Sequence, residues 1–174
     1  MIKNNQAPDA NDKKVGRQWL RFILGILALI IGSLVYLLDR PADSSLLIDQ
    51  SISLFDKHSL LFGTIGQHLP TFSHPFAFIL ITAALMNSVK KASYFSICFT
   101  WLAIDSVFEI AQKETINQYL ATYIPSLFTN LPLMSHLQNY FINGHYDPLD
   151  LFSILMGVIA AYIVLLTTEK MIKP

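Results

Sequence analysis

Between residues 19 and 38 the chain runs for twenty residues with a single charge, Arg21. A helix rises 1.5 Å per residue, so about 20 residues cross a hydrocarbon core of roughly 30 Å. A bilayer offers no water to backbone N–H and C=O groups, so a spanning segment must satisfy its own hydrogen bonds, and a helix does so. Three more apolar runs follow at 75–89, 92–112 and 148–168. Pro75 and Pro148 stand at the starts of two of them, where the missing N–H costs nothing. Charged residues make up 14% of the chain, against about 25% in soluble domains. Long stretches of this chain therefore do not face water.

A secretory signal peptide is the rival reading of the first run. Its apolar core has about 7–15 residues and ends in small side chains. This run is longer and closes on Tyr36-Leu37-Leu38-Asp39-Arg40, so it reads as an uncleaved helix, with Arg21 snorkelling back to the headgroups. The expected fold class is all-α: an integral membrane four-helix bundle over 17–168. A disordered cytoplasmic tail is expected at 1–16 and a short cytoplasmic tail at 169–174. The connection 41–73 holds Asp43 as a helix cap, then Leu47, Ile48, Ile52 and Phe55 on one helical face, broken by Asp49 and Asp56. It predicts a short amphipathic helix on the membrane or over the bundle, after which Gly63, Gly66 and Pro70 break regular structure. The connection 113–146 predicts a second such helix at 134–142. Both belong to the outer loops.

Orientation follows from Lys and Arg. Lys3, Lys13, Lys14, Arg17, Arg21, Lys90, Lys91, Lys170 and Lys173 share one side; Arg40, Lys57 and Lys113 share the other, nine against three. Both termini are thus expected in the cytoplasm, and His58, His68, His74, His136 and His145 on the outer side. A net charge of zero gives no reason to expect a nucleic-acid partner. The single cysteine, Cys98, lies within an apolar run, where it packs as a small hydrophobe.

The polar residues inside the spans carry the chemistry. Asp105 and Glu109 are i and i+4, and Glu109 and Gln112 are i and i+3, so the three share one helix face. His74 precedes the second span; Asp147 and Asp150 flank the first turn of the fourth. Together His74, Asp105, Glu109, Gln112, Asp147 and Asp150 are expected in one outer-leaflet layer. A carboxylate inside a span costs about 2.5–3.5 kcal/mol at mid-membrane and marks a site by default. Plainer roles stand beside this: Asp147 as a helix cap, Glu109 and Gln112 as interhelical hydrogen-bond glue, Asp105 as a buried bonded acid, and His74 as an interfacial residue. No tight metal motif such as His-Glu-x-x-His is present, and no Gly-x-Ser-x-Gly or phosphate-binding glycine loop.

The ordered set His74-Pro-Phe-Ala-Phe, Glu109-Ile-Ala-Gln112 and Gly144-His145-Tyr146-Asp147-Pro148-Leu149-Asp150, with Gly157 beyond, resembles the VanZ-like family of small polytopic membrane proteins over about 17–168. His145 stands where that family often has Arg, and Ile154 where Asn is common. The resemblance implies a four-helix bundle of the bacterial cytoplasmic membrane, whose best-known relative gives low-level resistance to a glycopeptide antibiotic. Two functions are in view. One is a cell-envelope protein that recognises a lipid headgroup, a lipid-linked sugar or a cell-wall component at the outer face. The other is a membrane-embedded hydrolase or transferase with Glu, Asp and His catalysis: Glu109 or Asp150 as base, His74 as acid or metal ligand, Gln112 as orienting donor. Membrane lipids are the expected partners. A transport pathway through four helices without a repeat would require a homo-oligomer. No catalytic residue or cofactor is assigned at this level.

Overall fold

A computed structural model of the chain describes residues 10–39, 54, 60–86, 90–127 and 144–170. Among the described residues there are five helices and no strands: α1 Ala10–Leu38, α2 Gly63–Leu85, α3 Lys91–Ala111, α4 Glu114–Leu127 and α5 Pro148–Lys170. Four of them, α1, α2, α3 and α5, are long and apolar enough to cross a membrane, so the protein is an all-helical, multi-pass membrane protein. The two amphipathic helices expected at 43–56 and 134–142, and the positions of His58 and His136, lie outside the described residues.

Three boundaries differ from expectation. α1 begins at Ala10, so residues 10–16 are helical rather than part of a disordered tail. Once the apolar run has nucleated a helix, adding a turn fixes one residue per new hydrogen bond, and Asp12 in the first turn favours the helix dipole. α2 begins at Gly63, twelve residues before the expected start at 75, and takes in Gly66, Pro70 and Pro75. Two interior prolines are tolerated because the neighbouring helices of a bundle support the interrupted backbone; Pro70 and Pro75 are both buried. α4 occupies a stretch in which no helix was expected. Its apolar residues Ile116, Leu120 and Tyr123 share a face at spacings of three and four.

Asp39, just past the end of α1, fixes the entry to α2. Its carboxylate accepts the backbone N–H groups of Leu61 at 2.8 Å and Phe62 at 2.6 Å. These donors have no helical partner of their own, and a carboxylate at a helix start also meets the positive end of the dipole.

α2 is the central element, packing against α1, α5 and α3. Lipid is as apolar as leucine, so membrane helices associate through close packing rather than by escaping water. Glycines provide it here. A Cβ on Gly25 of α1 would sit 2.7 Å from Ile81 Cγ1 and 2.9 Å from the Ala77 carbonyl of α2. A Cβ on Gly157 of α5 would collide with the Phe72 carbonyl of α2 and press on Pro75. The core between these helices is Ile79, Leu80, Ala83, Tyr94, Ile97, Cys98, Val158, Ala161 and Leu165. Cys98 is buried within it.

Arg21 departs from expectation. It is 1% exposed rather than snorkelling. Its Nε donates to Thr168 Oγ1 at 2.8 Å, Nη1 to Tyr94 Oη at 3.2 Å and Nη2 to the Leu165 carbonyl at 2.9 Å. One guanidinium thus ties α1 to both α3 and α5. The planar fork makes this possible, since its donors point outward in fixed, diverging directions.

Candidate functional site

Three helices carry the polar residues at the other end of the bundle. α2 presents His68, Thr71 and His74, each three residues apart and hence on one broad face. α3 presents Asp105 and Glu109, which are 8% and 4% exposed. Asp147 precedes α5 and Asp150 sits in its first turn.

The contacts fall into two levels. At the mouth, His68 Nδ1 lies 2.8 Å from Asp150 Oδ1, and the Thr71 hydroxyl lies 2.9 Å from the same oxygen and 2.8 Å from the His68 carbonyl, two acceptors for its one proton. Asp147 N donates to Glu109 Oε1 at 2.9 Å. The Asp147 side chain in turn accepts from Leu149 N at 2.9 Å, capping α5. Deeper in the bundle, His74 Nδ1 lies 3.0 Å from Asp105 Oδ1. His74 is stacked edge-on against Phe78, whose ring lies flat on Trp101. Trp101 Nε1 donates to Thr82 Oγ1 at 3.1 Å, which fixes that aromatic floor. Asp150 joins α5 to α2, Glu109 joins α3 to the start of α5, and Asp105 joins α3 to α2. The three links close a circuit around the three helices.

The expected residues are brought together, but in different pairs. His74 was expected at the start of its helix, in one outer layer with Glu109 and Asp150. It meets Asp105, because α2 starts at Gly63 and His74 is therefore eleven residues from either end, at mid-helix rather than at the helix start, with its side chain half-exposed on the flank of the bundle. That depth matches Asp105, not Glu109. The single outer layer is thus a ladder running from the mouth to the middle of the span. Glu109 reaches the Asp147 backbone, a donor that sequence spacing does not reveal. Gln112 is the C-cap of α3. Its carbonyl faces Asn117 Nδ2 at 3.5 Å, and it lines a cleft with α4 and with residues 144–146. His145 is exposed and lies in that cleft. Lys113 closes its floor by sitting 4.8 Å over the Tyr146 ring.

His68 and Thr71 were not among the expected site residues. Their spacing to His74 was a usable signal, but Pro70 between them read as a helix break, which hid the shared face.

One feature of the circuit stands out energetically. Asp105 Oδ2 is buried and meets no hydrogen-bond partner among the described residues. A buried acceptor left unsatisfied costs about 1–3 kcal/mol, more when charged. Acids of this kind concentrate at functional sites. Four carboxylates, Asp105, Glu109, Asp147 and Asp150, stand against two imidazoles, so even full protonation of both histidines leaves the ladder acidic when the acids are ionised. Compared with known proteins, the chain matches no family model, no curated protein and no solved structure.

Proposed function

We propose that this protein belongs to the bacterial cytoplasmic membrane, with both termini in the cytoplasm, and recognises a polar ligand through the ladder at its outer face. The ligand class is a lipid headgroup, a lipid-linked sugar or another cell-wall component. The observation that carries this reading is Asp105 Oδ2, a buried carboxylate oxygen without a donor among the described residues, in a three-helix polar circuit. A hydroxyl-rich or cationic headgroup supplies the donors such a circuit lacks. The resemblance of His74, Glu109, Gln112, Asp147 and Asp150 to the VanZ-like pattern supports the same assignment, and the nine-to-three Lys/Arg distribution supports the orientation.

The test separates a binding site from structural glue. Glu109→Gln keeps an acceptor for Asp147 N and removes the charge; Asp105→Asn does the same beside His74. Native mass spectrometry of protein purified from its membrane reads the polar lipid that co-purifies. Wild type is expected to retain a defined species, and each variant to lose it by at least about tenfold, the change that one lost charged hydrogen bond of about 1.5–3 kcal/mol produces. Equal retention by wild type and both variants, with all three folded, removes the basis for the proposal.

The second reading, a hydrolase or transferase acting on a lipid-linked substrate, has its own support in the His74–Asp105 pair. A half-exposed imidazole held by a buried carboxylate is the arrangement of an oriented acid–base group. Turnover of a lipid-linked substrate by wild type, with loss in His74→Gln but retained binding, would favour this reading over pure recognition.

A further inference from the structure

The mouth of the ladder gathers two aspartates at the start of one helix and a histidine from another, an arrangement that helix capping alone does not call for. Asp147 is explained as a cap on Leu149 N. Capping does not call for a histidine from another helix, nor for a second aspartate one turn deeper. Yet His68 on α2 and Asp147 and Asp150 on α5 each offer one ligand atom, and these atoms lie within 4.8 Å of one another. Atoms that share one ion at about 2.0–2.6 Å are separated by no more than about twice that distance. The three side chains therefore already stand within the span of a single coordination sphere. They are half-buried, open enough for an ion to enter and closed enough to hold it.

Two independent observations point to a cation here rather than to mutual satisfaction of the acids. The first is charge. Glu109, more than nine-tenths buried, is brought to Asp147 by its bond to the Asp147 N–H, which adds a third carboxylate beside the cluster. The second lies one level deeper: Asp105, bonded to His74 and also more than nine-tenths buried, has an oxygen that meets no donor among the described residues.

We infer that His68, Asp147 and Asp150 form a binding site for one divalent cation at the mouth of the helix bundle, the inference resting on the reading of this ladder as a ligand site. Two carboxylates and one imidazole suit Mn²⁺ or Zn²⁺, ions that accept mixed oxygen and nitrogen donors. Three protein ligands leave positions open for water or for an oxygen of the bound ligand, as in sites that act on substrate rather than only hold structure. Thr71, bonded to Asp150, and Glu109, bonded to the Asp147 backbone, orient the two aspartates, the task of an outer shell. A cation here converts an acidic mouth into one that accepts a phosphate or a sugar hydroxyl.

The experiment titrates Mn²⁺ into the purified full-length protein in detergent and follows free and bound ion by electron paramagnetic resonance. Wild type is expected to bind one Mn²⁺ per chain, with a nitrogen coupling in the pulsed spectrum from the imidazole. Asp147→Asn keeps the helix cap, since asparagine caps as well as aspartate, and Asp150→Asn keeps an acceptor for Thr71. Each is expected to weaken Mn²⁺ binding by at least about tenfold, and His68→Gln to remove the nitrogen coupling. Helical circular dichroism and a monodisperse elution profile establish that the variants are folded. No binding of Mn²⁺ or of competing Zn²⁺ overturns the inference, as does binding that all three variants leave unchanged, which indicates an adventitious ion only. A co-purifying headgroup that survives chelation, with no Mn²⁺ bound, overturns the cation site and leaves the headgroup proposal standing. Mn²⁺ bound with the expected mutational losses, but no retained headgroup, supports the cation site and counts against the headgroup proposal alone.

Discussion

Gly157→Ala is expected to destabilise the protein by about 1–3 kcal/mol, the usual cost of overpacking a close contact. The added Cβ would meet the backbone carbonyl of Phe72, which cannot rotate away as a side chain can. Relief requires α5 to move off α2 as a body. That motion has a second consequence, because Asp150 lies on α5 and its partners His68 and Thr71 lie on α2. The same variant should therefore lose whatever the ladder binds, although residue 157 lies two turns away from Asp150. Gly157→Leu, with a branched side chain directed at the same carbonyl, should prevent accumulation of folded protein. Thermal unfolding in detergent measures the first effect. A Gly157→Ala protein as stable as wild type would show that the α2–α5 contact adjusts freely, and the account of this interface would fall. The corresponding glycine on α1, Gly25, meets a flexible Ile81 side chain as well as the Ala77 carbonyl, so alanine there should cost less.

Arg21→Lys is expected to be the more damaging of two replacements at that position, costing about 2–3 kcal/mol, while Arg21→Met costs less. The three acceptors of Arg21 lie on two helices and are reached by three separate nitrogens. A lysine ammonium keeps the charge but cannot reproduce the fork, so the charge stays buried with fewer bonds, each charge-assisted bond being worth about 1.5–3 kcal/mol. Methionine removes the charge together with its desolvation penalty. It also leaves few orphans: the Thr168 hydroxyl still donates to Val164 at 2.7 Å, and Tyr94 retains a side-chain bond with Glu169. Chemical or thermal unfolding of the two variants in one detergent orders them. Lysine equal to wild type, or more stable than methionine, would mean that Arg21 acts as a simple positive charge rather than as a bracket.

The two ends of the bundle use polar groups differently. Arg21 is satisfied by neutral oxygens on two other helices and reads as structural. Buried polar atoms without a partner among the described residues occur at both ends, Arg17 Nε and Glu169 Oε2 at one and Asp105 Oδ2 at the other; the ladder differs in being acidic and partly open, which is why the proposed ligand and the proposed cation are both placed there.

Much of the architecture was legible in the residues because the bilayer imposes it. A span must be about 20 apolar residues of self-bonded helix, so the runs at 19–38, 92–112 and 148–168 read as spans, and an observed helix covers each, with α1 reaching back to Ala10 and α3 stopping one residue short at Ala111. The i, i+4 relation of Asp105 and Glu109 likewise put both on one buried face. The extent of α2 was not legible. Gly66, Pro70 and Pro75 break helices in water, and only the helices packed around them make a continuous helix favourable here. That single difference moved His74 to mid-helix, paired it with Asp105, and placed His68 and Thr71 against Asp150. Pairings across helices depend on relative height and rotation, which close contacts such as Gly157 against Phe72 decide. A sequence names the residues on a face; only the packed helices determine which faces meet and at what depth.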